Sequence, residues 1–205
     1  MKTLPLNKKN SIRNMTFKGY GIELRPVTRA DLFVLRQWRN SPRISQMMVD
    51  NSYITSRQQQ LWYQKIKERF DQAHWVVWCE GVRAGYVTIK GKGPLEHQKQ
   101  LTGGMYSGNL QNKHKLLVQN KHKLLGYAMQ IMMLDIVFGH LSVSKFRGPV
   151  QKKNAGVRKL LKQLGFREEG FKGDFVWTSI VPTDFKTSRI KFERYFPDTR
   201  CELIG

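Results

Sequence analysis

The sequence has few acidic residues. Its 205 residues include 15 Asp and Glu against 36 Lys and Arg, which gives a formal net charge of +21. Between Glu96 and Glu168 the one acid is Asp135, while the same stretch holds thirteen Lys and Arg. An excess of this size favours an anionic partner: a phosphorylated ligand, a nucleic acid or an acidic surface. The charge alone does not decide among the three.

Cysteines and long apolar runs are also scarce. Cys79 and Cys201 are too few for a disulfide framework, which predicts a reducing, cytoplasmic location. No apolar run approaches the roughly 18 residues of a membrane span, and the first residues lack the apolar core of a signal peptide. The five histidines show no metal-ligand spacing beside cysteines or acids, so we expect no metal.

The hydrophobic fraction of 40% and the aromatic fraction of 11% are typical of a globular chain with a real core. The length fits one domain. We expect a basic N-terminal arm over residues 1–20, one domain over residues 21–196 and a C-terminal tail over residues 197–205.

Hydrophobic periodicity and turn residues predict the element order βααβββαβαββ, an α/β (α+β) domain with a mixed sheet. The first strand is expected at a sheet edge because Pro26 ends it. The predicted strands cover residues 22–27, 75–79, 84–89, 101–106, 143–150, 175–180 and 188–195.

Four helices are predicted. The first follows Thr28 as its cap, the second starts at Thr55 or Ser56, and the fourth follows Asn154 and ends at Gly165. The expected apolar faces of the first two helices are Leu32, Leu35 and Trp38, and Leu61, Trp62, Ile66 and Phe70.

An exact repeat lies between the fourth strand and the third helix. The heptad Gln-Asn-Lys-His-Lys-Leu-Leu occupies residues 111–117 and recurs at residues 119–125. Two copies are too few for a solenoid, so a recent tandem duplication explains them best. We expect the first copy to be an extra loop or helical turn. A metal or nucleic-acid role for the duplicated His/Lys pairs is the alternative.

The second copy opens the third helix, an amphipathic segment predicted to run to about Phe138. The order strand, basic loop, helix places the free N–H groups and partial positive charge of a helix N-terminus beside Lys121 and Lys123, which suits a phosphate. The alternative is a core helix with a solvated basic start.

The segment over residues 154–166 begins with Asn154 and ends with Leu164-Gly165-Phe166. Together with the element order, over residues 21–196, it resembles the GCN5-related N-acetyltransferases (GNAT superfamily), which implies a mostly antiparallel sheet of about seven strands flanked by about four helices. The first half resembles the branch that acetylates nucleotide-linked amino sugars, in particular the pseudaminic-acid pathway N-acetyltransferases of flagellin modification. The residues that carry this likeness are Leu24-Arg25-Pro26-Val27, Asp31-Leu32, Trp38-Arg39-Asn40, Met48, Ile54 and Trp62.

The resemblance implies a site for acetyl-CoA. In the superfamily the loop after the fourth strand, Arg/Gln-x-x-Gly-x-Gly/Ala, holds the coenzyme pyrophosphate, and the matching residues are Lys121, His122, Lys123, Leu124, Leu125 and Gly126. Leu124 replaces the middle glycine, which would let the backbone approach a phosphate closely. Met105, Tyr127 and Asn154 complete the implied coenzyme contacts.

The resemblance also implies direct transfer from thioester to amine, without a metal or a covalent intermediate. The fourth strand, at Met105 or Tyr106, would polarise the thioester carbonyl, and a neutral amine and a proton for the thiolate are also required. The usual proton-donating Tyr corresponds to Leu161, and a carboxylate expected on the fifth strand corresponds to Pro149. The acid and the base therefore stay unassigned.

Arg39 is the best candidate for substrate binding: the resemblance implies that it contacts the nucleotide of the sugar donor, and a guanidinium binds a phosphate bidentately. Asn40, Thr88, Lys90 and Tyr106 are further candidates. The alternatives are an exposed helix-end arginine at Arg39, a helix cap at Asn40 and a plain strand aromatic at Tyr106.

These features predict transfer of acetyl from acetyl-CoA to a UDP-linked 4-amino-4,6-dideoxy sugar, by a monomer or homodimer. One alternative is a GNAT enzyme that acetylates protein α-amino groups or another small amine. The other is a catalytically degenerate relative that binds a polyanion, which the net charge, Leu124 and Leu161 favour. A nucleic-acid partner is not favoured.

Overall fold

The computed structural model of the chain describes residues 11–108, 121–193, 195–196 and 201–204. The part described holds nine strands and six α-helices. The strands are β1 (Thr16–Gly19), β2 (Ile22–Pro26), β3 (Gln72–Cys79), β4 (Val82–Lys90), β5 (Gln100–Ser107), β6 (Lys145–Gln151), β7 (Arg167–Lys172), β8 (Phe175–Ile180) and β9 (Glu202–Ile204). The helices are α1 (Leu32–Asn40), α2 (Pro42–Ser45), α3 (Ser56–Glu68), α4 (Lys121–Asp135), α5 (Ala155–Gln163) and α6 (Pro182–Glu193).

All nine strands belong to one sheet, in the order β7-β8-β6-β5-β4-β3-β2-β1-β9. Every neighbouring pair is antiparallel except β5 and β6. The predicted class, a mixed and mostly antiparallel sheet with helices, is confirmed. The strand and helix counts exceed the predicted seven and four.

Both ends of the chain extend the sheet. An N-terminal arm was predicted over residues 1–20, but residues 16–19 form β1, in which Phe17 is fully buried. Residues 1–10 lie outside the described residues. Because β1 pairs with β2, the predicted edge position of β2 is wrong. Residues 202–204, expected in the tail, pair with β1 as β9 and occupy that edge.

The segment predicted as a last strand, residues 188–195, is helical instead, within α6. Pro182 suits the first turn of a helix, where no N–H is needed. Phe185, Ser188 and Phe192 then recur at helical spacing and turn inward, Phe192 stacking on Tyr127 at 4.9 Å between ring centroids. The apolar residues of this segment were therefore assigned the wrong period.

Helix α3 starts as predicted but presents a different face. The side chain of Thr55 accepts a hydrogen bond from the Gln58 N–H, and Gln58 bonds back to the Thr55 N–H in a capping box. Of the predicted apolar stripe, Trp62 is half-buried, whereas Leu61 is 46% exposed and Phe70 lies beyond the helix end. The fully buried member of the helix is Gln59.

Helix α4 is the central helix of the core. It was predicted to be amphipathic, and this prediction is wrong. Residues 128–134 are buried without exception, and a π-type turn, Ile136–His140, continues the helix. It packs on β4 and β5, where Gly85 leaves room for Met129: a Cβ at Gly85 would lie 3.0 Å from the Met129 Cε. A helix that is apolar all round is a buried one.

Strands β5 and β6 are paired over three residues only and then separate, at a place called the fork here. The pairs are Gln100 with Lys145, Leu101 with Phe146 and Thr102 with Arg147. Beyond them β5 stays with β4 while β6 stays with β8. Pro149 does not end β6, because a proline is tolerated where one edge of a strand is unpaired.

Candidate active site

A cleft of about 750 Å³ enters the molecule at the fork and extends between β5 and helices α1 and α3. The fork end is lined by residues of β5, β6, α4 and α5. The other end, called the outer end here, is lined by Arg39, by residues 47–54, by α3 and by β4. The residues that the prediction had named and that line the cleft are Arg39, Thr88, Lys90, Met105, Tyr106 and Asn154.

Arg39 reaches the outer end from the last turn of α1. Its Nη2 donates to the backbone carbonyl of Asp50, and its Nη1 is buried without a hydrogen-bond partner. A buried, unpaired guanidinium nitrogen is costly unless an acceptor arrives. Asp50 keeps its own charge, since bonds from Ser52 hold the pKa of its carboxyl below the usual range.

Asn40 does not enter the cleft. Its Nδ2 donates to the Ile54 carbonyl at 2.9 Å, and its Oδ1 accepts from the Ile54 N–H at 2.8 Å. Both halves of the amide are bonded to Ile54, and Asn40 is not among the described residues that line the cleft, where a substrate contact was predicted. The C-terminal cap of α1 is Ser41, whose hydroxyl donates to the Trp38 carbonyl.

Aromatic side chains form one wall of the cleft. Tyr106 stacks on Tyr86 at 5.1 Å between centroids, and the Tyr86 hydroxyl is hydrogen-bonded to His74 Nδ1 at 2.5 Å. Burial, and then the neighbouring Tyr86, raises the pKa of Tyr106 above its usual value. Tyr106 is therefore a neutral phenol that can donate a hydrogen bond but cannot act as a base near neutral pH.

His74 lies behind this wall, edge-on to Trp62. Burial, with Lys90 adding to it, lowers the pKa of His74 to about 3, and the Nε2 is buried without a partner. The imidazole is therefore neutral at physiological pH. Thr88, between His74 and the cleft, donates its hydroxyl hydrogen to the Ala73 carbonyl at 3.0 Å.

Lys90 ends β4 at the rim of the cleft. Desolvation by the surrounding walls, and then repulsion from Arg69, lowers the pKa of its ammonium. Lys90 and Arg39 are the positively charged side chains among the described lining residues, and Asp50 is the one carboxylate there. The net charge of the lining is thus positive.

The segment predicted to cradle the coenzyme pyrophosphate is helical. Residues 121–126 form the first turns of α4, so the N–H groups of Leu125 and Gly126 bond to carbonyls one turn back rather than to a ligand. The prediction of a loop over these residues is wrong. The Tyr127 hydroxyl donates to Gln163, and residues 124–127 are not among the described residues that line the cleft.

Asn154 caps α5 as predicted, with its Oδ1 accepting from the Val157 N–H at 3.2 Å. Leu161 and Pro149, which stand where an acid and a carboxylate were expected, both line the cleft with apolar groups. The first copy of the repeat, residues 111–117, lies outside the described residues.

Gln130 is a polar residue of the fork end that was not predicted from the sequence. Its side chain is 4% exposed, its Nε2 has no partner, and it lines the cleft from α4. A signal was available, because Gln130 is the one polar residue in the run 128–134. Gln59 and Thr178 also line the cleft and are buried.

Within the described ranges no group of three or more His, Cys, Asp and Glu is placed to hold a metal ion. Over the same ranges, none of the helices has the length and apolar content needed to cross a bilayer.

Known proteins share this fold. The structure is similar to that of apo FdhC, described as a nucleotide-linked sugar GNAT, with a TM-score of 0.70 and 17% identity over 89% of this chain and 99% of that one. It is similar to Mycobacterium smegmatis RimJ in complex with CoA-disulfide, with a TM-score of 0.67 and 16% identity over 90% and 97% of the two chains. A third neighbour is spermidine N-acetyltransferase from Vibrio cholerae in complex with CoA and spermine (TM-score 0.63, 17% identity, 81% and 98%).

No curated protein sequence is similar enough to count as a relative of this chain. The sequence profile of the acetyltransferase (GNAT) domain matches residues 22–167, well over half of the chain. The match includes β2 to β6, the fork and the capped helix α5. The chain therefore belongs to the GNAT acetyltransferase family.

Proposed function

We propose that the protein transfers acetyl from acetyl-CoA to the amino group of a nucleotide-linked amino sugar, of the UDP-4-amino-4,6-dideoxy type used in pseudaminic acid synthesis and flagellin modification. The observation that carries the proposal is the charge of the outer end of the cleft. Arg39 and Lys90 face it, Asp50 is the one carboxylate among the described lining residues, and Arg39 keeps an unpaired Nη1.

This charge selects among amines. A polyamine needs carboxylates to bind its cationic groups, and the outer end offers one. A nucleotide sugar brings the negative charges of its diphosphate together with a single amine, and a guanidinium with a free N–H is suited to a phosphate oxygen. The likeness to FdhC, described as a nucleotide-linked sugar GNAT, supports this substrate class.

The fork fits the acyl arm of the coenzyme. A Cβ built on Gly104 would meet nothing within 4 Å, so β5 presents an open backbone to the cleft. Strand alternation turns the N–H of Met105 toward β6, on the side where β6 has moved away. That N–H is free to donate to a carbonyl oxygen at the fork.

The chemical roles follow from these positions. Acetyl-CoA, when bound, supplies the acetyl thioester. The Met105 N–H stabilises the negative charge that develops on the carbonyl oxygen during amine attack. Tyr106, kept protonated by burial, is the hydrogen-bond donor for the departing thiolate. The positive charges of Arg39 and Lys90 near the amine disfavour its protonated form and so favour the neutral nucleophile.

A second candidate is acetylation of a protein α-amino group. It is favoured by the apolar rim of the outer end, where Val49 and Tyr53 are 69% and 68% exposed and could contact a peptide. The likeness to RimJ is consistent with it.

The test starts with the wild-type chain and acetyl-CoA. Saturating acetyl-CoA should raise the melting temperature through mass action. Acetylation is then measured on a UDP-linked 4-amino sugar and on peptides with free N-termini. Activity on peptides alone would favour the second candidate, and a chain that binds a polyanion but not acetyl-CoA would be a non-catalytic relative.

Arg39→Ala should raise the KM for the nucleotide sugar and leave the affinity for acetyl-CoA unchanged. A charge-assisted hydrogen bond contributes roughly 1.5–3 kcal/mol, so its loss should raise the KM for the nucleotide sugar about ten- to a hundredfold. Arg36→Ala is the matched control, because Arg36 lies on the same helix, outside the cleft and beside Phe33. Equal effects of the two substitutions would contradict the assignment of Arg39.

A further inference from the structure

Four side-chain nitrogens are buried without a hydrogen-bond partner in the described part of the chain: Arg39 Nη1, His74 Nε2, Gln130 Nε2 and Arg147 Nε. Two of them belong to residues that line the cleft, Arg39 and Gln130. Arg39 is at the outer end and has been assigned above. Gln130 is at the fork end, on the buried helix α4, and no role described so far uses it.

The fork end is lined by apolar side chains as well as by polar ones such as Thr102 and Gln151, and the Gln130 Nε2 bonds to none of them. The same end of the cleft is lined by Met133, one turn further along α4, and by Phe146, Val157 and Leu161. None of these side chains carries a hydrogen-bonding group. A buried amide that donates to nothing costs free energy, and a methionine of similar shape would avoid that cost. The unpaired donor therefore points to a ligand.

We propose that Gln130 is a positioning residue for the acyl-pantetheine arm of the coenzyme, and that its Nε2 donates a hydrogen bond to a carbonyl oxygen of that arm. The inference rests on the proposed use of acetyl-CoA. A neutral donor matches a neutral carbonyl, which loses little solvation on entering the fork, whereas a phosphate would lose far more. Charged and neutral donors thus divide the two ends of the cleft.

Two carbonyl sources share this chemistry, the amides of the pantetheine and the thioester of the acetyl group. They differ in what coenzyme A alone can offer, because coenzyme A keeps the amides and lacks the thioester. Titration with both forms therefore separates them.

The central variant is Gln130→Met, which keeps the length of the side chain and removes the donor. The matched control is Met132→Leu, an apolar change at a buried residue of the same helix that is not among the described lining residues. Each protein is titrated by calorimetry with acetyl-CoA, with coenzyme A and with 3′-phosphoadenosine 5′-phosphate, which lacks the whole arm. Losing one neutral hydrogen bond should weaken binding about three- to tenfold.

For Gln130→Met we expect weaker acetyl-CoA binding, unchanged binding of the phosphoadenosine probe, and a melting temperature of the free protein equal to or above that of the wild type. Equal losses for coenzyme A and acetyl-CoA assign the pantetheine amides. A loss confined to acetyl-CoA, with a lower kcat, assigns the thioester. Met132→Leu should change none of these by more than about twofold.

Gln130→Glu adds a readout that a structural role would not move. A carboxylate has no donor and a carboxylic acid has one, so acetyl-CoA affinity of this variant should improve, relative to the wild type, as the pH is lowered from 8 to 5.5. Wild-type affinity for acetyl-CoA in Gln130→Met would overturn the inference alone. So would a lowered melting temperature with equal losses for all three probes. Failure of the wild type to bind acetyl-CoA would overturn the proposed function as well.

Discussion

The side-chain amide of Asn40 and the backbone of Ile54 are joined by two hydrogen bonds, with Nδ2 donating to the carbonyl at 2.9 Å and Oδ1 accepting from the N–H at 2.8 Å. This pair ties the end of α1 to the residue just before the Thr55 cap of α3. The segment between them, residues 47–54, forms much of the outer end of the cleft. Asn40 thus holds the segment that lines the outer end without being among the described lining residues itself.

Asn40→Ala should raise the KM for the amine substrate and lower thermal stability, because both backbone groups of Ile54 lose their partner. Two such bonds correspond to about 1–3 kcal/mol. Acetyl-CoA affinity should hold, since the fork lies on the other side. Asn51→Ala, an exposed position of the same segment, is the control. A normal KM in Asn40→Ala, measured beside this control, would show that the segment keeps its shape unaided.

The adjacent glycines of β5 make a matched pair. A Cβ at Gly103 would lie 2.5 Å from Phe146 Cζ and 2.7 Å from the Thr88 carbonyl oxygen, whereas a Cβ at Gly104 meets nothing within 4 Å. Gly103→Ala should therefore cost about 1–3 kcal/mol of unfolding free energy, and Gly104→Ala should cost little. Chemical denaturation checks both. Equal stability of the two variants would mean that Phe146 moves aside without cost.

His74 predicts a pH-dependent stability. Its pKa is about 3 in the folded chain against 6.5 as the ordinary value, so the unfolded chain binds the extra proton between these limits. The contribution of neutral His74 is fully present above pH 6.5 and is lost as the pH falls. At pH 5 the loss relative to pH 7.5 is about 2 kcal/mol.

The measurement is urea denaturation of the wild type and of His74→Gln at pH 7.5, 6 and 5. The difference in the free energy of unfolding between the two proteins should shrink on acidification, because the glutamine has no proton to take up. A constant difference over this range would show that His74 is not held neutral by burial.

Deleting residues 111–118 should leave a folded chain that still binds acetyl-CoA. The deletion removes one copy of the repeat, which lies outside the described residues, and keeps the copy that leads into α4. For the loop that the sequence predicts here, shortening by this amount changes the closure free energy by less than about 1 kcal/mol. Loss of the fold or of coenzyme binding would show that both copies are needed.

Local signals were enough to predict much of the fold. The predicted strands 75–79 and 84–89 correspond to β3 and β4, which are joined by a turn at Glu80 and Gly81 with φ of 50° and 76°. The end of α5 was predicted too: Gly165 has φ of 92°, and Phe166 returns to the core. In each case residues near in sequence determine the geometry.

Elements decided by distant contacts were mistaken or missed. Strand β7 is mostly polar and exposed, so its sequence has no alternation to detect, and it forms by pairing with β8. The apolar residues of α6 fit two periods over a short window. In the cleft, Arg39 was proposed from its sequence neighbours. Gln130 was not proposed, because its burial and its position in the lining of the cleft arise only on folding.

The fork also divides the protein into two fragments that could reassemble. All strands after Ser142 belong to the second fragment: β6, β7 and β8 lie together at one side of the sheet, and β9 lies at the opposite edge. Ser142 is exposed and has φ of 54°. A chain cut there would yield a second fragment that pairs with the first at two places in the sheet. Strand β6 pairs with β5 through three residue pairs, and β9 pairs with β1 through three. Coexpressed fragments, each inactive alone, would then regain activity in proportion to their affinity for each other. A ligand bound in the fork would contact both fragments and raise that affinity.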